Sequence, residues 1–406
     1  MNATDYMNYF EKLSYTRTSG TQEELRCAEF FQSYIAGFGC EAQLQPFAVP
    51  MAKIHQAELI VNGKSIPCRG YLCAGNWEVE APFYYLRSVD PWALSQCKGK
   101  IVLVDSYVGF WKYQDIWQSG AVGFISCNGD AGFADRDIDQ RELRSYFHTG
   151  NRLPGVNIHV KDAIELVRND AKTAKIILKQ EEWIGQSQNV ILDLPGEIPE
   201  FIALTAHYDT TFLSKGVYDN MSGCLALLSM AEYFAGRSHR YGLRFIWCGS
   251  EERGLLGSKY YCSDPENIRD CVMNVNVDLL GCIMGKFQCC VTAEEKLCHY
   301  LSCFASETGF STEVKQDVYS SDSTPFADSG VPAVSMVRLA PKNMATYHNR
   351  YDTIEIVSGR QMVEDTAFIR AFVERIANAA ICPVSKTIPE NVREKLDEYL
   401  GKKRLK

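Results

Sequence analysis

Residues 201–235 read FIALTAHYDTTFLSKGVYDNMSGCLALLSMAEYFA, and their texture decides the fold. FIALTAH (201–207) is a short apolar run that ends in a polar residue, as a buried strand does. A turn-rich stretch follows. MSGCLALLSMAEYFA (221–235) then has the length and spacing of a helix. The unit recurs downstream. GLRFIWC (242–248), CVMNVNVD (271–278) and PAVSMV (332–337) predict strands, while 293–308 and 358–380 predict helices. Strands alternating with helices predict an α/β fold, with a mainly parallel central sheet and helices on both faces.

Working outward, residues 21–37 predict a further helix. Thr21 and Glu24 have capping-box spacing, and Leu25, Ala28, Phe31 and Ile35 recur at helical intervals. From about residue 53 strand-like runs dominate: AELIV (57–61), KIVLVD (100–105), AVGFISC (121–127) and AKIILKQ (174–180), with a short helix at 161–168 and a polar loop region over 128–155. The expected organisation is a discontinuous catalytic domain, 1–52 and 183–406, interrupted by a β-rich insert over 53–182.

The bulk numbers narrow the function. A chain of 406 residues with 46% hydrophobic and 23% charged residues is that of a globular protein. The formal net charge of -8 argues against nucleic acid as a partner. No run is long and apolar enough to span a bilayer, and the opening MNATDYMNYFEKLSYTR has no apolar signal stretch, so a cytoplasmic location is expected. In that setting the 16 cysteines read as buried thiols rather than disulfides. The oligomeric state is left open, a homo-oligomer included.

Five segments hold candidate chemistry, each just beyond the expected carboxyl end of a strand or in a following loop, where open α/β sheets bind ligands. His207 closes its strand, with Asp209 two residues on. An imidazole there suits a metal, and a nearby carboxylate can hold its other N–H. Asp219 precedes a helix and reads equally as a helix cap or as a carboxylate bridging two cations. Glu251 and Glu252 follow an apolar strand, so that one can bind metal while the other carries protons. Asp278 ends an apolar run, where a carboxylate is costly unless it is paired or bound to a cation. His348, in YHNRYDT, would supply a second imidazole. Two imidazoles and at least three carboxylates, with no thiolate, fit a catalytic pair of zinc or similar divalent ions such as Co²⁺ or Mn²⁺. His55, His148, His159, His239 and His299 lack such company.

The ordered set HYD, GVYDNMSG, SEERGLLGS, NVDLLG and YHNRYDT resembles the zinc-dependent exopeptidases that include bacterial leucyl aminopeptidases and aminopeptidase Y. Thr18-Ser19-Gly20-Thr21 matches the family's opening. GKIVLVD, SGAVGFISC, LPGVNIHVKDAIEL and QNVILDLPG make the insert resemble a protease-associated domain. The departures are Tyr218 and Met221, which flank Asp219 and Asn220 and bear on pocket shape. The resemblance implies peptide substrates and two zinc ions: His207 and Asp278 on one, Glu252 and His348 on the other. Asp219 would bridge them, across a cis peptide to Asn220. Glu251 would be the general base, Asp209 would orient His207, and Tyr347 would donate to the oxyanion. Alternatives are a dizinc carboxypeptidase or dipeptidase of the same clan, with Arg253, Arg338 or Arg350 receiving the substrate carboxylate, and a one-zinc glutaminyl cyclase, an acyl-transfer enzyme on a related fold. A non-catalytic receptor on the same fold is the least favoured, because such proteins lose ligands that are all present here.

Overall fold

A computed structural model describes residues 1–404 except 149 and 343. The chain divides into two compact units, Met1–Phe47 with Gln186–Lys406, and Ala48–Gly185.

In the first unit the apolar runs form the centre of one sheet. Phe201–His207 lies between Gly242–Cys248 and Cys271–Asp278, parallel to both, and Ala333–Leu339 extends the parallel set beyond Cys271–Asp278. Lys286–Thr292 is antiparallel to Ala333–Leu339, and the edge strand Glu313–Gln316 runs parallel to it. On the other side, residues 190–194 of Thr173–Leu194 pair antiparallel with Gly242–Cys248. Every residue of Phe201–His207 is buried, as a run covered on both faces requires.

Strand alternation sorts the side chains between two cores. Ile202, Leu204, Ala206, Phe245 and Trp247 pack with the helices Gln22–Gly37, Ser222–Phe234, Glu295–Thr308 and Gly359–Ala377. Phe201, Ala203, Ile246 and Cys248 instead meet Tyr261 of Leu256–Ser263 and Phe326 of Ser323–Asp328. Helices therefore cover both faces of a mainly parallel sheet.

Several elements go beyond the sequence expectations. Ala3–Leu13, Leu256–Ser263 and Glu390–Tyr399 are helices, and Glu313–Gln316 is a strand. Thr21 caps Gln22–Gly37 as expected, but Glu24 does not close a capping box. Its carboxylate accepts from Gly20 N at 2.7 Å and leaves the helix for other partners.

The second unit is β-rich. Its strands run Trp77–Tyr85, Ile101–Leu103, Gly123–Asn128 and Gly155–His159, parallel from the first to the last, and Arg69–Gly70 closes that edge. The helices Phe110–Gln118 and Val160–Arg168 contribute Tyr113 and Ile116, and Ala163 and Leu166, to its two apolar clusters.

Candidate dinuclear metal site

Register brings the donor residues to one edge. Cys248 pairs with His207 and Asn276 with Thr205, so the Glu251–Glu252 turn and Asp278 emerge at the same end of the sheet as His207. Along the inner face, Thr205 Oγ1 donates to Asn276 Oδ1 at 2.9 Å, and Asn276 Nδ2 donates to Ser321 Oγ at 3.0 Å. Ser321 Oγ donates in turn to Asp278 Oδ2 at 2.8 Å. This fully buried chain fixes one carboxylate oxygen of Asp278 and leaves Oδ1 buried with no hydrogen-bond partner.

The capping alternative for Asp219 does not hold. Asn220 caps the helix: its Oδ1 accepts from Gly223 N at 2.9 Å and from Leu279 N at 3.2 Å, while its Nδ2 donates to Val277 O at 2.9 Å. One side chain thus ties the start of Ser222–Phe234 to the Asp278 strand. The Asp219–Asn220 peptide bond is cis. Asp352 holds the preceding turn, accepting from Tyr218 N at 2.7 Å and from Asp219 N at 3.1 Å.

With its backbone held, the Asp219 carboxylate faces two imidazoles. Oδ1 lies 3.0 Å from His207 Nε2, and Oδ2 lies 3.0 Å from His348 Nε2. Asp278 Oδ1 stands 3.7 Å from His207 Nε2, and Glu252 Oε1 stands 3.1 Å from His348 Nε2. The five residues fall into two clusters of metal-ligand spacing, His207–Asp219–Asp278 and Asp219–Glu252–His348, which share Asp219.

Asp209 has two tasks. It accepts from Glu251 N at 2.8 Å and from Glu252 N at 3.1 Å, and its Oδ1 stands 3.6 Å from His207 Nδ1. It therefore shapes the glutamate turn and also faces the far side of the imidazole. Tyr347 is about half exposed (48%), its ring edge-on to His348 at 4.8 Å.

The field at the site is strongly negative. Burial opposes a charge on His207, but Glu251, Asp209, Asp219 and Asp278 outweigh it and hold the imidazole well above its ordinary value. Burial likewise works against His348, and Glu252 and Asp219 overcome it. Carboxylates that so favour a proton on each ring equally favour a divalent cation in its place. Together with the buried, unpartnered Asp278 Oδ1, this makes the donor set fit two cations of the zinc class. Burial raises Glu251 well above the usual carboxylate range, with Glu252, Asp322 and Asp278 adding and His207 opposing.

Four side chains with no expected role stand here. Asp352 and Asn220 are described above. Asp322 is fully buried, accepts from Ser258 Oγ at 2.5 Å and is pushed up to about 6 by burial. Tyr319 has its phenol raised well above the ordinary value by burial and by Asp278 and Asp219. No strand end announces Asp322 or Tyr319. The signal for Asn220 was its place beside Asp219 just before a helix. Non-glycine residues with positive φ cluster here as well: Ser250 (58°), Leu279 (51°) and His348 (61°). Such strain, of order about 1–3 kcal/mol each, concentrates at functional sites.

Residues 189–373 match the model of peptidase family M28. Aminopeptidase YwaD of Bacillus subtilis is 28% identical over 62% of this chain and 57% of its own length. Leupeptin-inactivating enzyme 1 of Streptomyces exfoliatus is 31% identical over 45% of this chain and 43% of its own. The chain thus spans about half the length of these relatives. Among solved structures, a zinc aminopeptidase from Bacillus subtilis superposes with a TM-score of 0.77 at 22% identity, over 96% of this chain and 98% of that one. An aminopeptidase from Aneurinibacillus sp. strain AM-1 gives 0.76 at 20%, over 94% and 95%. At these identities the structures speak for the fold alone.

Proposed function

We propose that this chain, whose residues 189–373 belong to peptidase family M28, is a metallo-aminopeptidase that removes N-terminal residues from peptides at a site for two zinc ions. The observation that carries the reading is Asp219, whose two oxygens each face a different imidazole at 3.0 Å. One ion would be held by His207, Asp278 and Asp219, and the other by His348, Glu252 and Asp219. Bound there, the pair would acidify a shared water and polarise the scissile carbonyl.

The remaining work falls to the chain's own groups. Glu251 takes the proton of the attacking water and returns it to the leaving amine, and its raised affinity for a proton suits that exchange. Asp209 keeps His207 oriented and the glutamate turn closed. Tyr347, beside His348, and Tyr319, whose phenol feels the charge of Asp278, are phenols available to a developing oxyanion.

The names of the relatives support attack at the amino end. Arg338 offers little to the carboxypeptidase alternative. Its Nη2 donates to Asp365 Oδ1 at 2.6 Å, its Nε to Asp365 Oδ2 at 2.9 Å and its Nη1 to Gly285 O at 2.8 Å. A second donor cluster about His348 argues against one-zinc glutaminyl-cyclase chemistry. Among the described residues no helix is long and apolar enough to cross a membrane. The cysteines carry thiols rather than disulfides, most of them buried, and we read that as the mark of a reducing, cytoplasmic setting. We read Ala48–Gly185 as a protease-associated insert on its β-rich build.

The test pairs metal analysis of the purified protein with a panel of aminoacyl amides, N-blocked peptides and dipeptides varied at the carboxyl end. Two zinc equivalents and strict dependence on a free α-amine are expected. Cleavage of N-blocked peptides at equal rate overturns the aminopeptidase reading.

A further inference from the structure

The stretch Arg17–Glu24 precedes the segment matched by the family model and bears none of the metal donors, yet it contacts the loops that do. Arg17 is fully buried, and none of its side-chain hydrogen bonds goes to a carboxylate. Its guanidinium is surrounded by backbone carbonyls instead. Nε donates to Tyr208 O at 2.7 Å, Nη1 to Leu13, Tyr15 and Lys215 O at 2.9, 2.7 and 2.9 Å, and Nη2 to Gly216 O at 2.9 Å. Tyr208 stands between His207 and Asp209, and Gly216 three residues before Asp219. The backbone of Arg17 exchanges two further bonds with Thr210, Arg17 N to Oγ1 at 2.9 Å and Thr210 N to Arg17 O at 3.1 Å. The fit is close: Gly216 has φ of 59°, and a Cβ there would lie 2.3 Å from Thr210 Cγ2 and 2.7 Å from Arg17 Nη2. A buried charge bonded to no carboxylate is costly, and its retention here needs a reason.

Glu24 holds the other loop. It too is fully buried. Oε2 accepts from Gly20 N at 2.7 Å, and Oε1 accepts from Ser187 Oγ at 2.9 Å and from Ser250 N at 3.2 Å. Ser19 Oγ meets Ser250 Oγ at 2.5 Å. Ser250, in left-handed backbone at φ 58°, immediately precedes Glu251 and Glu252.

We propose that Arg17 and Glu24 are positioning residues, two arms of a clasp that sets the ligand-bearing loops: Arg17 fixes the His207–Asp209 turn and the approach to Asp219, and Glu24 fixes the turn carrying Glu251 and Glu252. The inference rests on the dinuclear reading above. Lysine cannot replace Arg17, because a compact ammonium with three donors cannot span carbonyls spread across a planar fork. Glutamine cannot replace Glu24, because whichever way the amide turns, its NH₂ meets a backbone N–H.

The experiment uses the full chain with Arg17→Lys and Glu24→Gln. Three quantities are read: zinc affinity by competition with a chromophoric chelator, kcat and KM separately, and amide hydrogen exchange of metal-free protein across 207–219 and 249–257. Groups that orient ligands typically change metal affinity or activity about 10–100-fold. For Arg17→Lys the expectation is zinc affinity lower by that factor, with faster exchange across 207–219. For Glu24→Gln it is a comparable loss in kcat with little change in KM, and faster exchange across 249–257. Variants that melt earlier yet keep wild-type zinc affinity, kcat and local exchange overturn the proposal and leave both residues as core packing. If Arg17→Lys fails to fold, Glu24→Gln alone decides. A wild-type protein that binds no zinc sinks the dinuclear reading instead, and the exchange data still report on the clasp.

Discussion

Glu251 and Glu252 are adjacent on one turn, and their surroundings separate their tasks. Glu252 reaches the imidazole of His348, whereas Glu251 lies among His207, Glu252, Asp322 and Asp278, with its carboxyl held well above the usual range. Glu251 stands outside both donor clusters, so it is the carboxyl left to shuttle a proton while Glu252 holds a cation. Glu251→Gln keeps the shape and removes the shuttle. Turnover should fall by about 10²–10⁴-fold, the usual share of general acid–base transfer, with zinc content unchanged. Near wild-type turnover would show that the base is another group. The donors should separate in the same way. His348→Ala should lose one of two zinc equivalents, and Asp219→Ala both, as read by elemental analysis after gel filtration. Equal loss from the two variants would mean that Asp219 does not link the clusters. Donor chemistry at this scale was legible because it depends on residue type and place: an Asp ending NVNVD has to be explained by something. The groups that hold the donors were not legible, because Ser321, Asp352 and Arg17 are ordinary polar residues until the fold brings them alongside.

Among the elements, the helix Ser222–Phe234 decides most, because its first turn packs against the end of the Asp278 strand. A Cβ at Gly223 would stand 2.4 Å from Val277 O and 2.6 Å from Asn220 Oδ1. Two effects compete in Gly223→Ala. Helix propensity favours alanine by about 0.8–1.0 kcal/mol. Overpacking against backbone and against the Asn220 cap costs typically about 1–3 kcal/mol and here offers no flexible neighbour to yield. The clash should win, so Gly223→Ala is expected to lower the denaturation midpoint and to weaken zinc retention with it. A more stable variant would mean that the helix has room to move. Elements were legible where one pattern dominated, as in the apolar strands that flank His207. They were missed where polar residues blur it: EVKQ does not alternate cleanly, yet it adds a strand at one edge. Ala3–Leu13 carried full signals, an Asn2 cap, Asp5 at its capping-box position and Tyr6, Phe10 and Leu13 at helical spacing, though the sequence reading assigns it no element.

For the whole molecule, thiol chemistry and metal dependence each make a prediction. Cys303 is exposed, while most of the other cysteines are buried, with burial pushing Cys27 and Cys271 up to about 12. Because only the thiolate reacts, iodoacetamide at mildly alkaline pH should label Cys303 first, and unfolding should release all 16 without reductant. A requirement for reductant would reveal disulfides and contradict a reducing compartment. Metal dependence follows from the charge gathered in the first unit. Asp209, Asp219, Asp278, Asp322 and Asp352 are all buried, beside Glu251 and Glu252. Side chains packed this way repel one another unless cations or protons intervene. Binding that favours the native state stabilises it by RT ln(1 + [L]/Kd), about 2.7 kcal/mol at a hundredfold excess over Kd. At about 2–4 °C per kcal/mol for a unit of this size, chelation should lower its melting midpoint by roughly 5–11 °C. The shift belongs to the unit built from Met1–Phe47 and Gln186–Lys406, so amide exchange should rise at the strand ends near His207 and Asp278 and stay unchanged within Ala48–Gly185. Added zinc should reverse both effects. A chelator that leaves the midpoint and the exchange pattern untouched would mean that these carboxylates balance their charge without metal, and the dinuclear chemistry would lose its foundation.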